Sequence, residues 1–593
     1  MISSYGKTAP DSVSTKNTSS CDLTITTAPP SSSAACTRGI VTISVKATSS
    51  QPLNYQWYKD GTVLSNVTNT SGATSATLTM IDTQTANAGL YSVVVSSNCD
   101  SQTSTAFSLS VSPSNHPDYN ALADLFYSTN GMNWTSRTNW LTNCDPCSGW
   151  FGVTCSQGRA TTLVITSNNL NGNLPTSFGD LSELRRVVMY YNWSLRGNLP
   201  GSIGKLSNLE YLNLQLNGFS GAIPDSLGVL PRLTTLILSG NQLTSGIPSS
   251  LSSLQSLTYL DLSANPLGGT IPESLSTLTK LNYLSLRNNQ LQGTIPSWIG
   301  NCQNLQILNL VDNALTGAIP ASFSALKSLQ QLELQNNRFT GSLPEFLSDL
   351  SGLIEIGVSN NQFTGSIPSR IGALTNMIFL TLDNNQLTGE IPRDLGRLVK
   401  LGYLYLNNNR LSGSLPDSLG KLTSLLYMRL NNNQLTGAIP NQFKPLQNLR
   451  ELDLSNNQLD GSIPNSIGLM TGLQTLRLNS NNLSGCLPAS MSILCGKQVS
   501  IQNNPGLPND GDWNAFCTSG TGSYNGTLTT IQSGYWHNKE IWSCGRVPQT
   551  GDRTVIQHSV TLAPALYNQA QQIKLQGDGK LIYEANGMLR LGL

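Results

Sequence analysis

Five side chains recur at one spacing. Phe379, Tyr403 and Tyr427 are 24 residues apart, and so are Tyr405 and Arg429. Planar rings beside a guanidinium offer large contact area at low entropic cost, which is the chemistry of recognition, not of bond cleavage. A second aromatic group holds Tyr190, Tyr191, Trp193, Tyr211, Tyr259 and Tyr283. Arg429 offers a bidentate partner for a carboxylate. Few charges flank the rings in the sequence, so the expected ligand is a neutral glycan or a weakly charged peptide. The competing role for such a column is a tyrosine ladder that only stabilises neighbouring strands.

Catalytic and metal chemistry find little to work with. The three histidines, His116, His537 and His558, lie outside the repeating part of the chain. No HExxH, GxSxG, Walker A or paired CxxC pattern occurs. Cys144 and Cys147 have a zinc-like spacing but no second pair to complete four ligands. Asp510 and Asp512 read as a solvated turn, because no full loop of calcium ligands follows. Asp261, Glu333 and Asp453 share one column, yet whole repeats separate them, too far for a glycosidase acid pair. The expectation is a protein that is not an enzyme and uses no cofactor and no metal.

Composition narrows the class further. In 593 residues, 33 Lys and Arg balance 32 Asp and Glu, so no basic excess exists to neutralise nucleic-acid phosphates. Charged residues make up only 11%, well under the usual quarter, so Ser, Thr, Asn, Gln and Gly must cover the surface. No apolar run is long enough to span a membrane. The N-terminal MISSYGKTAPDSVSTK has no apolar signal core; the expectation is a removed signal or a start inside a longer protein. Eleven cysteines cluster at the edges of the repeating region, which suggests disulfide staples and an oxidising compartment.

The elements that position these residues follow from an internal period. The pattern LxxLxLxxNxLxGxIP places Asn at 168, 192, 217, 241, 265, 289, 313, 337, 361, 385, 409, 433, 457 and 481, with a weaker copy at Asn504. Leu212 and Leu214 alternate with Asn213, as in a strand with one buried face. Asn217 follows where the chain turns inward, and a column of such Asn can satisfy backbone groups of stacked turns. Gly221 and Pro224 shape the outer turn, and Leu227 and Leu230 return to the core. One unit cannot bury its apolar edge alone, so the units stack. Alternation points the residues six, four, two and one before each Asn outward. Six of the fourteen in the first of these columns are aromatic, and both aromatic groups are thereby placed on one face. Cys302, in GNCQNL, reads as a small buried thiol within a repeat.

Segments such as LSNLEYLNLQLNGFSGAIPDSLGVL and LTSLLYMRLNNNQLTGAIPNQF resemble the plant-type leucine-rich repeat family, over roughly residues 118–518. The resemblance implies an α/β-solenoid: a right-handed superhelix of 14–15 repeats at 161–518, with a second short strand at each TGxIP. ALADLFYSTNGMNW and NWLTNCDPCSGWFGVTC are similar to the family's N-terminal cap, placed at 115–160, with Trp134, Trp140 and Trp150 as its filling. The family's cysteine pair implies Cys147–Cys155, with Cys144 as an unexplained extra. At the far end Cys495–Cys517 is favoured and Cys486–Cys495 is its rival.

Residues 30–114 resemble an immunoglobulin-like β-sandwich, with Trp57 as the core Trp and Tyr91 at the tyrosine corner. The usual inter-sheet cysteine position is Val93, so Cys36–Cys99 is the expected staple, as in modules of bacterial surface proteins. Residues 1–29 read as a linker or the tail of a preceding module. Residues 519–593, with WSCGRVP and Gly turns, look like a small β-solenoid.

Together these readings imply a secreted or cell-surface binding and adhesion protein whose solenoid face recognises an extracellular protein, peptide or glycan. The rivals are an inhibitor of secreted polysaccharide hydrolases, an ice-binding surface built on the Thr row 316, 340, 364 and 388, and the binding part of a larger secreted enzyme. Oligomeric state is left open.

Overall fold

The structure, a computed structural model, describes residues 21–507 without a break, then 511–518 and separate segments between 527 and 591. Cys544 and Asp510 lie outside the described residues. The chain divides into two compact units, at Leu195/Arg196.

The first unit begins with the sandwich. One sheet runs Ser32–Cys36, Phe107–Ser112, Gly89–Ser96, Asn54–Lys59 and Thr62–Val63, and the facing strands include Val41–Ser44 and Thr77–Met80. Alternation in VTIS and GLYSVVVS puts Ile43, Tyr91, Val93 and Val95 inside, against a fully buried Trp57. Val93, opposite Trp57 in register, fills the space a cysteine would take. Tyr91 donates its hydroxyl to the Asn87 carbonyl at 2.6 Å, which closes the corner. Burial pushes this phenol up to about 12.

Two expectations are corrected here. Residues 1–29 were read as a linker or a foreign tail, but Leu23 belongs to this core and Thr24–Thr27 pairs antiparallel with Lys46–Thr48. Cys36 does not bond Cys99. Cys36 lies opposite Ser112, beyond the Gly89 end of the strand Gly89–Ser96, whereas Cys99 follows its Ser96 end. Eight extended residues, about 25 Å, separate the two ends, and a disulfide needs Cα atoms within about 7 Å. Cys99 bonds Cys21 instead, with Cα atoms 5.9 Å apart. Cys36 bonds Cys144 of the next segment, at 5.5 Å.

That next segment is the helix Tyr119–Ser128 with an aromatic cluster behind it. Phe126, Trp134, Trp140 and Trp150 are joined by ring-centroid distances of 4.9–5.8 Å. Cys147 bonds Cys155. Besides Cys36–Cys144, polar ties hold the sandwich to this segment. Arg38 pairs with Asp124 at 2.5 Å. Tyr127 donates to the Arg38 carbonyl and accepts from the Asp82 amide. The Ile40 amide donates to Leu141 O.

In the second unit each repeat contributes one short strand, from Tyr211–Asn213 to Gln498–Ser500, all parallel and in strict register. The outer side is made of 3-10 turns such as Asp225–Val229, most of them entered from a proline with extended ψ; Ile371–Ala373 and Ile467–Leu469 are entered from Arg370 and Ser466 instead. The expected α/β-solenoid thus has 3-10 turns where longer repeats carry α-helix. The short second strands form, for example Gln292–Thr294 beside Ala314–Gly317. The ladder asparagines are buried, Asn313 only partly, and Asn337 is representative. Its Nδ2 donates to Leu310 O and Leu334 O at 2.8 and 3.1 Å, and its Oδ1 accepts from Leu315 N at 3.0 Å. The residue before each ladder Asn takes a left-handed conformation, φ 57° at Asn336 and 59° at Ser480, which explains the frequent Asn there. Cys302 is a buried free thiol, and Cys495 bonds Cys517. Farther on, Thr527–Thr529, Arg553–Ile556 and Gln572–Leu575 stack in parallel, as do Gly534–Tyr535, Val560–Leu562 and Leu581–Tyr583. This is the local geometry of solenoid coils.

Two outcomes follow. Non-reducing peptide mapping should recover Cys21–Cys99 and Cys36–Cys144, and replacing the latter pair with Ser should cost roughly 2–4 kcal/mol in a denaturant titration. Asn337→Leu should cost about 1–3 kcal/mol or more, because it strips partners from buried backbone groups. Asn336→Ser, at an exposed left-handed position that Ser occupies elsewhere in the same column, should cost less than about 0.5 kcal/mol.

Candidate functional site

Register decides which outward residues meet. Along the long sheet the strand partners run Gln331, Glu355, Phe379, Tyr403, Tyr427, Glu451, Thr475 in one row. A parallel row runs Glu333, Gly357, Thr381, Tyr405, Arg429, Asp453, Arg477. Adjacent strands lie about 4.8 Å apart, close to the stacking distance of aromatic rings. Phe379 and Tyr403 stack at 4.7 Å and Tyr403 and Tyr427 at 5.3 Å, with planes within 17° and 12°. Tyr405 meets Tyr403 edge-on at 6.3 Å. All four rings are half-buried, so each keeps an edge or face toward solvent.

Arg429 is not the open carboxylate receptor expected of it. Its Nε and Nη2 donate to both Glu451 oxygens, at 3.1 and 2.9 Å, and its guanidinium lies 4.9 Å over the Tyr405 ring. Arg477 donates to Glu451 at 2.8 Å and reaches Asp453 at 3.5 Å. Two cations and two carboxylates therefore neutralise each other. Burial alone would raise the Glu451 carboxyl, but the hydrogen bonds and charges of Arg429 and Arg477 outweigh it and hold it below the usual range.

The opposite flank was also misjudged, since charges do surround the rings. Glu355 neighbours Phe379, Glu333 lies one strand farther, and Asp383 shares the Phe379 strand two residues past its end. Burial raises all three carboxyls, and for Glu355 the charge of Glu333 adds to it. Their local hydrogen bonds come from Asn309, Gln331, Ser359 and Asn384. None of the three forms an ion pair among the described residues. The same column count that found the rings contains Glu355; its meaning was missed because burial is invisible in a column.

The second aromatic group is divided between the two units. Tyr259 and Tyr283 stack at 4.0 Å with planes within 3°, but Thr235 separates Tyr211 from Tyr259 in register. Tyr190, Tyr191 and Trp193 belong to the first unit. There Tyr191 and Trp193 meet at 5.5 Å, 49% and 60% exposed. They rim a hollow of about 390 Å³ with Thr135, Ser167 and Asn169. A wider cleft of about 730 Å³ lies among the 3-10 turns, lined by Glu390, Arg393, Asp417, Lys421 and Lys444. It mixes charges of both signs, and none of its lining residues leaves a buried side-chain polar atom unpartnered.

Among the described residues the one grouping of metal-ligand type is His116, Asp145 and Cys147. The Cys147 sulfur is committed to Cys155, so no thiolate is available. Among the described residues no helix is long and apolar enough to cross a membrane.

Comparisons with known proteins agree with this geometry. A family model described as Leucine rich repeat matches residues 231–291, 279–339 and 423–483, and a second of the same description matches 208–230, 376–398 and 400–422. An Immunoglobulin domain model matches 24–97. The Leucine-rich repeat protein FLOR 1 of Arabidopsis thaliana is 37% identical over 54 residues; the match spans 9% of this chain and 17% of the relative's length. Among solved structures, the plant peptide hormone receptor RGFR1 in complex with RGF2 is 28% identical, with a TM-score of 0.53 over 71% of this chain and 67% of that one. A TDR receptor is similar in fold, at 24% identity and a TM-score of 0.54 over 72% of this chain and 89% of that one.

The unpaired acids make a stability prediction. A carboxyl raised in the folded state disfavours folding once the pH exceeds its folded pKa, and the penalty disappears below the unfolded value of about 4.3. Glu355→Gln should therefore raise stability by roughly 0.5–2 kcal/mol at pH 7.5. The gain should vanish near pH 4, as read by thermal melts at both pH values.

Proposed function

A leucine-rich-repeat array of the plant type follows an immunoglobulin-like module in this chain. On that premise we propose that it is a secreted or cell-surface binding and adhesion protein. It holds a peptide or a segment of a partner protein against the exposed face of the long sheet, anchored on Phe379, Tyr403, Tyr405 and Tyr427. The observation that carries this reading is the row of three rings stacked in register and only half-buried. Stacked rings already hold their rotamers, so little side-chain entropy remains to be lost when a ligand lies across them. A purely structural ladder has no need of the half-buried acids beside it, none of which forms an ion pair among the described residues.

Two further observations support the reading. The similar receptor RGFR1 was solved in complex with RGF2. The disulfides Cys21–Cys99, Cys36–Cys144, Cys147–Cys155 and Cys495–Cys517 suit an oxidising, extracellular setting.

The test uses the full chain and a phage-displayed random dodecapeptide library. Selected peptides should lose more than about 2 kcal/mol of binding on Tyr403→Ala with Tyr427→Ala, while the melting temperature barely moves. If the double variant melts earlier and binding persists, the rings are a strand-stabilising ladder. Binding of the same face to a glycan array instead of the peptides would assign the rings to sugar stacking.

A further inference from the structure

Between Glu333 and Tyr405 the second row narrows to Gly357 and Thr381. These small residues leave a notch beside the ring row. The Gln335 side chain lies over its floor: a Cβ added at Gly357 would fall 2.1 Å from the Gln335 Nε2. Two acceptors there, Gln335 Oε1 and Thr381 Oγ1, are buried with no hydrogen-bond partner. A buried acceptor left unpaired is destabilising, and native structures hold few of them. Around the notch stand Glu355 on the Phe379 side, Glu333 on the strand before, and Asp383, which accepts from Ser359 at 2.5 Å. The lining is thus rich in acceptors and negative charge; the charges of Arg287 and Arg429 reach Glu333 and Asp383 from a distance, but among the described residues no cation pairs with any of the three carboxylates.

That inventory states what it lacks, namely several N–H donors with positive charge. We infer that the notch over Gly357 and Thr381 receives the ammonium or guanidinium of a Lys or Arg side chain of the bound peptide, and that this cation sets which peptides the face selects. The inference rests on the proposed reading of this face as a peptide-binding surface. A Lys or Arg brings three or five donors, enough for the two orphan acceptors and a carboxylate. Its methylenes can lie along Phe379, which is stacked on Tyr403 at 4.7 Å. A peptide carboxylate would meet only like charge there. A neutral hydroxyl would satisfy one acceptor and leave the half-buried carboxylates without an ion-pair partner. At the other end of the row the closed Arg429–Glu451–Arg477 cluster offers no free charge, so discrimination by charge falls to the notch.

The experiment uses the dodecapeptides selected on the full chain. They should be enriched in Lys or Arg, and replacing that residue with norleucine or citrulline should weaken binding at least tenfold. Glu333→Gln with Glu355→Gln should weaken the parent peptide tenfold or more, yet leave the norleucine or citrulline version unaffected. That coupling is one a general structural defect would not produce. Peptides that depend on Tyr403 and Tyr427 but ignore both the cation and the two glutamates would overturn this inference and leave the peptide-binding reading standing. If no peptide is enriched, or none depends on Tyr403 and Tyr427, the reading of the face falls and the inference falls with it. Binding by the wild type that requires added Ca²⁺ would assign the acids to a metal and overturn the inference as well.

Discussion

The structure of the repeat unit depends on what one asparagine side chain does three times over. Asn361 donates from Nδ2 to Leu334 O of the preceding repeat and to Val358 O of its own, and Oδ1 accepts from Phe339 N. Asn385, Asn409, Asn433 and Asn457 repeat the pattern. A side chain with two donors and an acceptor on one short stem is needed: Asp lacks the donors, and Leu lacks both. Each inward turn would otherwise bury backbone groups without partners. Because every turn is tied to the one before it, the strand that precedes each Asn cannot slip. A slip of one residue would move every outward side chain into the core.

The site inherits its geometry from that lock. Residues 24 apart become neighbours across one strand spacing, which lets Phe379, Tyr403 and Tyr427 stack face to face. The same lock crowds side chains regardless of sign. On one flank it sets Glu451 against Arg429 and Arg477, and the charges close on themselves. On the other it sets Glu333 near Glu355, where burial and repulsion both raise the Glu355 carboxyl. An array held this rigidly can keep acids that disfavour folding locally, because stability is spread over many repeat interfaces.

The first unit is locked by different means. The sandwich and the capping segment share a disulfide, an Arg38–Asp124 pair and the two hydrogen bonds of the Tyr127 hydroxyl. Gly39 belongs to the same joint: a side chain there would fall 2.8 Å from the Cys36 carbonyl and 3.2 Å from Leu141 O. Ties of several kinds in one place make this joint a fixed presentation of one module on the other, not a flexible linker.

How much of this was legible depends on the range of each interaction. Interactions that repeat along the chain leave a periodic trace, so the 24-residue period alone located the ladder, the buried leucines and the outward columns. Trp57 and Tyr91 were readable for a similar reason, since strand alternation is a local signal. Cysteine pairing was not, because a loop of 78 or 108 residues carries no trace of its closure; the sandwich had to form before Cys36 and Cys99 could be seen at opposite ends of a strand. The state of the charges was equally hidden. The columns name Arg429, Glu451 and Glu355, but the sequence does not say that Arg429 is spent on Glu451 while Glu355 has no cation. Nor does it say that Gly357 and Thr381 leave Gln335 and Thr381 acceptors orphaned. Those outcomes depend on rotamers and burial, which are set by side chains one and two strands away in space. Periodicity therefore determined which residues share a face, and only the packed structure decided which of them remain free to bind.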